Sequence, residues 1–362
     1  MRKKVFALLL AVLLLAGCGE EKQSRDSVSI WYVEGECPDA FIRLTQQYNA
    51  ELQKEQLPVS LRSFENEESL AAAFDASPPD LLLCSYIKAE DLYARDRLRP
   101  VRISAGYPVY LRQRLSFVGE SFFPLGFEVQ LLCYKEGSFS STELRNPETL
   151  LKRVGELSQN GLPAMSADSF SELFCLWMLS AGSEVHGIIE QDALEDNYIF
   201  IFNLLAEAAY EGALVSVDGY DCAALVSGGW IPAAAVNSMS LAEKSLEGLE
   251  FSPMPRFKDA VTVPAGCPGL AVCVREGRSA KAATAFLSWL TQDVRAEKLA
   301  LESGLVPAIS GECEAQSAAE QALKAMAVDI EAYLPAADTD YVQNRESFER
   351  ELRKAVDSLN CS

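Results

Sequence analysis

Histidine is almost missing from this chain: its 362 residues include one, His186. With a single histidine there can be no HExxH helix, and no two cysteines stand in CxxC spacing, so the usual zinc sites are excluded. One histidine still permits a catalytic dyad, but no GxSxG elbow and no papain-like cysteine context accompanies it. His186, in Gly182-Ser183-Glu184-Val185-His186-Gly187, reads as a loop or helix-terminal residue. There is no GxxxxGK[ST] loop to cradle phosphate, and nothing sets two of the many carboxylates apart as an acid and base pair. These absences disfavour a hydrolase, imply no cofactor or metal, and favour a binder.

Positive charge is also scarce, with 32 lysines and arginines against 52 acids and a net charge of −20. Such a field repels nucleic acid and anionic headgroups, tolerates a neutral solute and favours a cationic one. Apolar residues make up 49% of the chain. Yet no long apolar run follows the first, which indicates a globular body.

That first run is informative. Arg2, Lys3 and Lys4 precede an apolar stretch from Val5 to Ala16. It is shorter than the roughly twenty residues a spanning helix needs, so it predicts a secretory signal. The stretch ends in Leu15-Ala16-Gly17-Cys18, which resembles a bacterial lipobox. The resemblance implies cleavage before Cys18 and a diacylglycerol on its thiol, with further acylation giving a stable anchor. Residues 1–17 are then the signal peptide, and residues 18–27, polar and without apolar periodicity, are a tether.

Nine of the ten cysteines remain, an odd number that cannot all pair within one chain. Cys84, Cys133 and Cys175 sit in apolar surroundings and are expected as small core residues. Cys267 and Cys273 bracket an expected strand, too far apart along it to bridge, whereas Cys313 with Cys361 stays open.

Val28–Val33, Pro58–Phe64 and Pro79–Cys84 predict strands, separated by helices over Pro38–Lys54 and Glu67–Ala76, with Asn66 as a cap, and followed by one over Lys88–Asp96. Further strands are expected over Val129–Lys135, Ile231–Val236, Leu249–Pro253 and Gly269–Val274. Further helices are expected over Pro147–Gln159, Phe170–Ala181, Asn197–Glu211, Ala280–Leu290, Asp293–Glu302, Ala318–Ala332 and Tyr341–Leu359. Alternating strands and helices indicate α/β architecture with doubly wound sheets.

In this order the pieces resemble the family 1 extracellular solute-binding proteins, the group that includes maltose- and other oligosaccharide-binding proteins. The matching stretches are Ile30-Trp31-Tyr32, Pro79-Asp80-Leu81 before Cys84-Ser85-Tyr86, Phe123-Pro124-Leu125-Gly126, Leu131-Leu132-Cys133-Tyr134-Lys135, and Ala282–Leu290 followed by Gly304-Leu305-Val306-Pro307-Ala308. The resemblance implies a two-lobed periplasmic-binding-protein-like fold of type II, with hinge crossovers. It places residues 28–128 and 275–309 in an N-terminal lobe, and 129–274 and 310–362 in a C-terminal one.

It further implies a monomer that captures a small polar solute, a carbohydrate in the first instance, for the permease subunits of an ABC importer. The protein would be lipid-anchored outside the cytoplasm and would bind no nucleic acid. Loops at the carboxyl ends of strands should line the cleft. They nominate Trp31, Tyr32, Glu34, Ser85, Tyr86, Gly126, Phe127, Glu128, Ser166 and Asp168, with Asn237, Ser238 and Cys267 in the loops facing them. Trp31 or Tyr32 would stack on a sugar ring while Glu34, Glu128 and Asp168 hold hydroxyls, although Trp31 fits core packing equally well.

Two departures stand out. Where the family carries a loop tryptophan this chain has Asn237, Ser238 and Met239, and Trp230 falls early enough to pack on the strand instead. The often aromatic loop before the second crossing is Gly266-Cys267-Pro268-Gly269. The same fold with a cationic ligand such as a polyamine is therefore one alternative, and a receptor that presents its ligand to a sensor kinase is another.

Overall fold

The structure, a computed structural model, describes residues 27–54, 56–115, 117–158, 162–182, 196–217, 221–242, 244, 246–257, 266–327, 348, 350–352 and 354. The signal segment, Cys18, His186, Cys361 and most of the helix expected over 341–359 lie outside the described residues.

The first lobe opens with β1 (Val28–Val33), a β-branched and aromatic run buried at five of its six positions. Pro38 sets the extended backbone before α1 (Asp39–Ala50), whose buried face is Ala40, Phe41, Thr45 and Tyr48. β2 (Val59–Phe64) pairs parallel to β1. Asn66 starts α2 (Glu67–Ala76) as expected: its side chain accepts the Ser69 backbone N–H at 2.9 Å, and Ser69 faces the Asn66 N–H in return. β3 (Leu81–Ser85) follows, with Leu81, Leu82 and Leu83 almost fully buried, as a strand covered on both faces requires.

α3 (Tyr86–Ala94) starts two residues earlier than expected, because the Ser85 hydroxyl caps it by accepting the Lys88 N–H. It also stops earlier, and Asp96 beyond it takes a left-handed φ of 55°. Then come α4 (Val109–Arg114), β4 (Phe122–Pro124) and β5 (Gly126–Phe127).

The second lobe contains β6 (Gln130–Lys135), α5 (Pro147–Leu157), β7 (Met165–Ala167), α6 (Phe170–Ala181), α7 (Asp196–Tyr210), β8 (Leu214–Ser216), α8 (Cys222–Ser227), β9 (Ala233–Asn237) and β10 (Leu249–Pro253). α5 has Asn146 as its cap and Pro147 in its first turn. Gly182 closes α6 at φ 88°, in the conformation glycine tolerates best. The Trp177 indole N–H of α6 donates to the Pro255 carbonyl at 3.1 Å, which satisfies a polar atom in an otherwise apolar core.

The chain then returns through β11 (Pro268–Val272), α9 (Arg278–Leu290), α10 (Asp293–Glu302), β12 (Val306–Pro307) and α11 (Ala318–Met326). Two five-stranded sheets result, in the orders β2-β1-β3-β11-β4 and β10-β6-β9-β7-β8. β11 runs antiparallel between β3 and β4. The expected assignment of residues 129–274 to the second lobe therefore fails over Pro268–Val272, which completes the first sheet. Leu270, Ala271 and Val272 are fully buried and fill the gap between two strands of the first lobe.

A two-stranded ladder of β5 against β12 lies outside both sheets. A Cβ on Gly126 would stand 2.7 Å from both the Leu305 Cβ and the Val306 carbonyl, so the ladder's close approach depends on glycine there.

Candidate functional site

The carboxyl ends of the strands open onto a cleft between the lobes, where α/β sheets of this kind place ligands. The cleft has a volume of about 230 Å³ and is lined by Gly35, Glu36, Leu83, Cys84, Ser85, Glu128, Met239, Gly266, Cys267 and Pro268. Gly35 and Glu36 follow β1, Leu83 to Ser85 end β3, and Gly266 to Pro268 lead into β11. Met239, just past β9, enters from the second lobe. Glu128 sits in the crossing between β5 and β6.

Glu128 is fixed from several directions. Its backbone N–H donates to the Gly266 carbonyl at 2.9 Å, and the two residues form an isolated antiparallel bridge. Asn237 at the end of β9 donates from Nδ2 to Glu128 Oε1. The Asn237 backbone N–H donates to Asp168 Oδ2 at 3.0 Å, and its Oδ1 accepts the Met239 N–H at 2.9 Å. Asp168, Asn237 and Glu128 thus form one polar chain from the second sheet to the cleft. A Cβ on Gly266 would fall 2.4 Å from Glu128 Oε2, so the carboxylate occupies the space a side chain would need.

Electrostatics are one-sided. Burial raises the pKa of Glu36, the Glu67 carboxylate adds to the shift, and Lys88 opposes it. Burial likewise lifts the Cys84 and Cys267 thiols well above their ordinary range, so both cleft thiols stay protonated. Tyr32, half-buried behind the rim, is raised by burial and then by Cys37. Glu34 accepts the Ser63 hydroxyl at 3.3 Å. Among the described residues no group of three His, Cys, Asp or Glu side chains is arranged to hold a metal.

The nominated residues divide. Ser85, Glu128 and Cys267 line the cleft, and Asn237 and Asp168 stand behind Glu128. Others are core. Trp31 is 2% exposed, with its ring 4.9 Å from Phe64 and the Arg62 guanidinium over it. Tyr86 is buried and stacks parallel on Phe117 at 5.5 Å. Phe127, Gly126 and Ser166 are buried in their strands. Ser238 is buried because it extends the β6–β9 ladder by one step: its hydroxyl accepts the Val129 N–H at 3.1 Å, and its own N–H donates to the Val129 carbonyl. Trp230, expected against the strand, is 78% exposed and precedes β9, whose other end carries Asn237.

Glu36, Cys84, Met239 and Gly266 were not nominated. The signal for Glu36 was Gly35, whose φ of 86° turns the chain after β1 and presents the next carboxylate. A larger groove of about 540 Å³ lies on the flank of the first lobe between α1 and α10, lined by their side chains and apart from the strand ends.

The eight cysteines in the described residues form no disulfide with one another, and Cys84, Cys133 and Cys175 are buried as expected.

No protein-family model matches the sequence, and no curated protein matches it. Solved structures do. The sugar-binding protein MalE from Xanthomonas citri superposes with a TM-score of 0.71 at 14% identity, covering 92% of this chain and 95% of that one. The cyclic α-maltosyl-1,6-maltose binding protein from Arthrobacter globiformis gives 0.68 at 16%, covering 92% and 94%. The spermidine/putrescine ABC transporter substrate-binding protein PotD from Streptococcus pneumoniae gives 0.65 at 11%, covering 91% and 99%. What these similarities establish is the architecture: the chain has the two-lobed, type II solute-binding-protein fold.

Proposed function

We propose that the chain is an extracytoplasmic solute-binding protein that captures a small polar solute in the interlobe cleft and delivers it to the permease subunits of an ABC importer. A lipid on Cys18 would hold it at the outer face of the cytoplasmic membrane. One observation carries this reading. The cleft lies at the carboxyl ends of strands from both sheets, and Glu128, inside a lobe crossing, lines it. Hinge closure is a motion available to two lobes joined in this way, and a solute held between them would favour the closed form. The similar structures include sugar-binding and polyamine-binding transporter components, which fits the solute-binding role and leaves the class of solute to the chemistry of this cleft.

A thermal-shift panel of sugars, amino acids, amines and small anions tests the capture step. A solute that binds the folded chain at a hundred times its Kd stabilises it by about 2.7 kcal/mol, which is several degrees of melting temperature. If no solute in the panel moves the transition, the capture role is wrong. Incorporation of a labelled fatty acid, abolished by Cys18→Ser, tests the anchor.

A further inference from the structure

We infer that Asn237 is a positioning residue of the cleft: its side-chain amide holds Glu128 and Met239 in fixed relation, so that the walls supplied by the lobe crossing and by the second lobe stay in register when a solute is captured. The inference rests on the solute-binding function above and assigns a role within it to a residue that stands behind the cleft wall.

An asparagine amide has an accepting end and a donating end, and here both are used. Oδ1 accepts the Met239 N–H at 2.9 Å and so caps the short 3-10 turn Ser238–Leu241. Nδ2, on the other side, donates to Glu128 Oε1. Turning the amide over would set an N–H against an N–H and an oxygen against a carboxylate, so both contacts would fail together. Two neighbours therefore fix one orientation.

The backbone of Asn237 is held independently of its side chain. Its N–H donates to Asp168 Oδ2 at 3.0 Å, its carbonyl accepts the Ser240 hydroxyl at 2.7 Å, and it stands opposite Gln130 in the β6–β9 ladder. Asp168 is tied in turn, its N–H donating to the Ala235 carbonyl at 3.2 Å. The amide thus projects from a fixed end of the second sheet, and the two residues it holds both line the cleft. Neither has much room to drift. A Cβ on Gly266 would lie 2.4 Å from Glu128 Oε2, and one on Gly304 would lie 2.9 Å from the Met239 Cα.

This geometry asks for asparagine in particular. Aspartate would accept the Met239 N–H equally well, but it would set a second carboxylate against Glu128, and two carboxylates that close do not both ionise readily. Alanine would lose both contacts.

The test is a double-mutant cycle of Asn237→Asp and Glu128→Gln on the full-length protein, read by urea unfolding of the ligand-free chain at pH 7.5 and pH 5. Like charge raises the folded-state pKa of the carboxylate pair in Asn237→Asp above its unfolded value. The variant's stability is then full below the unfolded pKa and is lost as pH rises through the folded one. Its urea midpoint should fall below that of wild type at pH 7.5 and recover at pH 5. Adding Glu128→Gln gives the new carboxylate a donor and should restore most of the loss at pH 7.5. Glu128 has other contacts as well, but their loss is common to both backgrounds and cancels in the cycle. The ionisable groups described around the pair are Asp168 of β7, Glu172 of α6, which accepts from Gln130 at 2.6 Å, Cys222 of α8 beside Asp168, and Glu36 and Cys267 across the cleft. Every variant keeps them, so their titration cancels too. Amide exchange at Met239 separates the two ends of the side chain: it should stay slow in Asn237→Asp, which keeps the accepting oxygen, and become fast in Asn237→Ala.

Maltose and putrescine, one probe for each class of solute named among the similar structures, read the consequence for capture. A probe that binds wild type should bind Asn237→Asp about ten- to a hundredfold more weakly at pH 7.5, the range of a lost hydrogen bond to a charged group, and the deficit relative to wild type should shrink at pH 5. Undiminished affinity in Asn237→Asp at pH 7.5 refutes the positioning role. So does a stability loss that is equal at both pH values and untouched by Glu128→Gln, which would mean that the side chain only fills space. Failure of maltose, putrescine and every solute of the panel above to bind wild type overturns the solute-binding function and the role in capture with it, while the ligand-free cycle still decides whether Asn237 holds Glu128.

Discussion

The contact between α10 and the turn after β9 can be broken with one methyl group. Gly304 follows α10 with a φ of 70°. A Cβ there would lie 2.3 Å from the Ser238 carbonyl oxygen and 2.9 Å from the Met239 Cα. Both obstacles are backbone, so no rotamer change relieves them. Gly35 is the natural control: its φ is 86°, but nothing lies within 4 Å of the added carbon. Left-handed backbone costs alanine about 1–2 kcal/mol, offset by about 0.4–1 kcal/mol from the stiffer unfolded chain. Gly35→Ala should therefore destabilise by no more than about 1.5 kcal/mol. Gly304→Ala carries the same strain plus an overlap that costs about 1–3 kcal/mol, for a total near 2–4 kcal/mol.

Urea unfolding of the two variants side by side reads the difference as a gap in midpoint at unchanged slope. Equal losses would mean that the turn at Ser238 moves aside freely, and the tight packing inferred between α10 and the β9 turn would be wrong. Because Met239 lines the cleft, Gly304→Ala should also weaken solute binding, whereas Gly35→Ala alters a rim turn with room to spare.

Two further outcomes are expected. Glu297 is 2% exposed, pairs with Lys324 at 3.4 Å and accepts the Cys313 N–H at 2.7 Å. Lys324→Met strands that carboxylate and should cost about 2–4 kcal/mol in denaturant unfolding, below a fully buried pair because the lysine is partly exposed. Adding Glu297→Gln should recover part of the loss, and a loss under about 0.5 kcal/mol refutes the pairing. Burial, more than any neighbour, pushes the Cys133 and Cys222 thiols to about 12. The folded chain then keeps protons that the unfolded chain releases near pH 8.5, so stability should fall as pH rises from there towards 12, by about 1.4 kcal/mol per pH unit per thiol. Cys133→Ala should flatten the alkaline arm of a stability–pH curve by one thiol's share, and an unchanged arm counts against the shift.

What could be read from the chain was what short-range chemistry decides. A β-branched run flanked by polar residues gives β1, and Asn66 with Ser69 gives the start of α2, because a cap needs partners only three residues away. Partner choice across long separations could not be read. Pro268–Val272 looks like any buried strand, and only the assembled sheet puts Leu270 opposite Leu83 and Phe123. The same limit governs the aromatic residues. Tyr86 follows a strand, as a ligand-stacking ring would, yet Phe117, thirty-one positions later and at a left-handed φ of 52°, covers it. Strand-end position identifies residues near a cleft, but whether a ring faces solvent or core depends on neighbours that no local pattern contains.

Glu128 illustrates how placement sets one residue of a common type apart from the rest. The chain has 52 acids, and most of them only keep the surface soluble. Glu128 differs because its backbone bridges to Gly266, a residue that leads back into the first sheet, while its carboxylate accepts from Asn237 of the second. Any rotation of one lobe against the other must change the torsions beside this residue or the hydrogen bond from Asn237. A ligand that engages the Glu128 carboxylate therefore acts on the crossing itself as well as on the cleft wall. Its differential affinity for the open and closed forms is set at the same atoms that hold it, which is the condition for binding energy to drive closure.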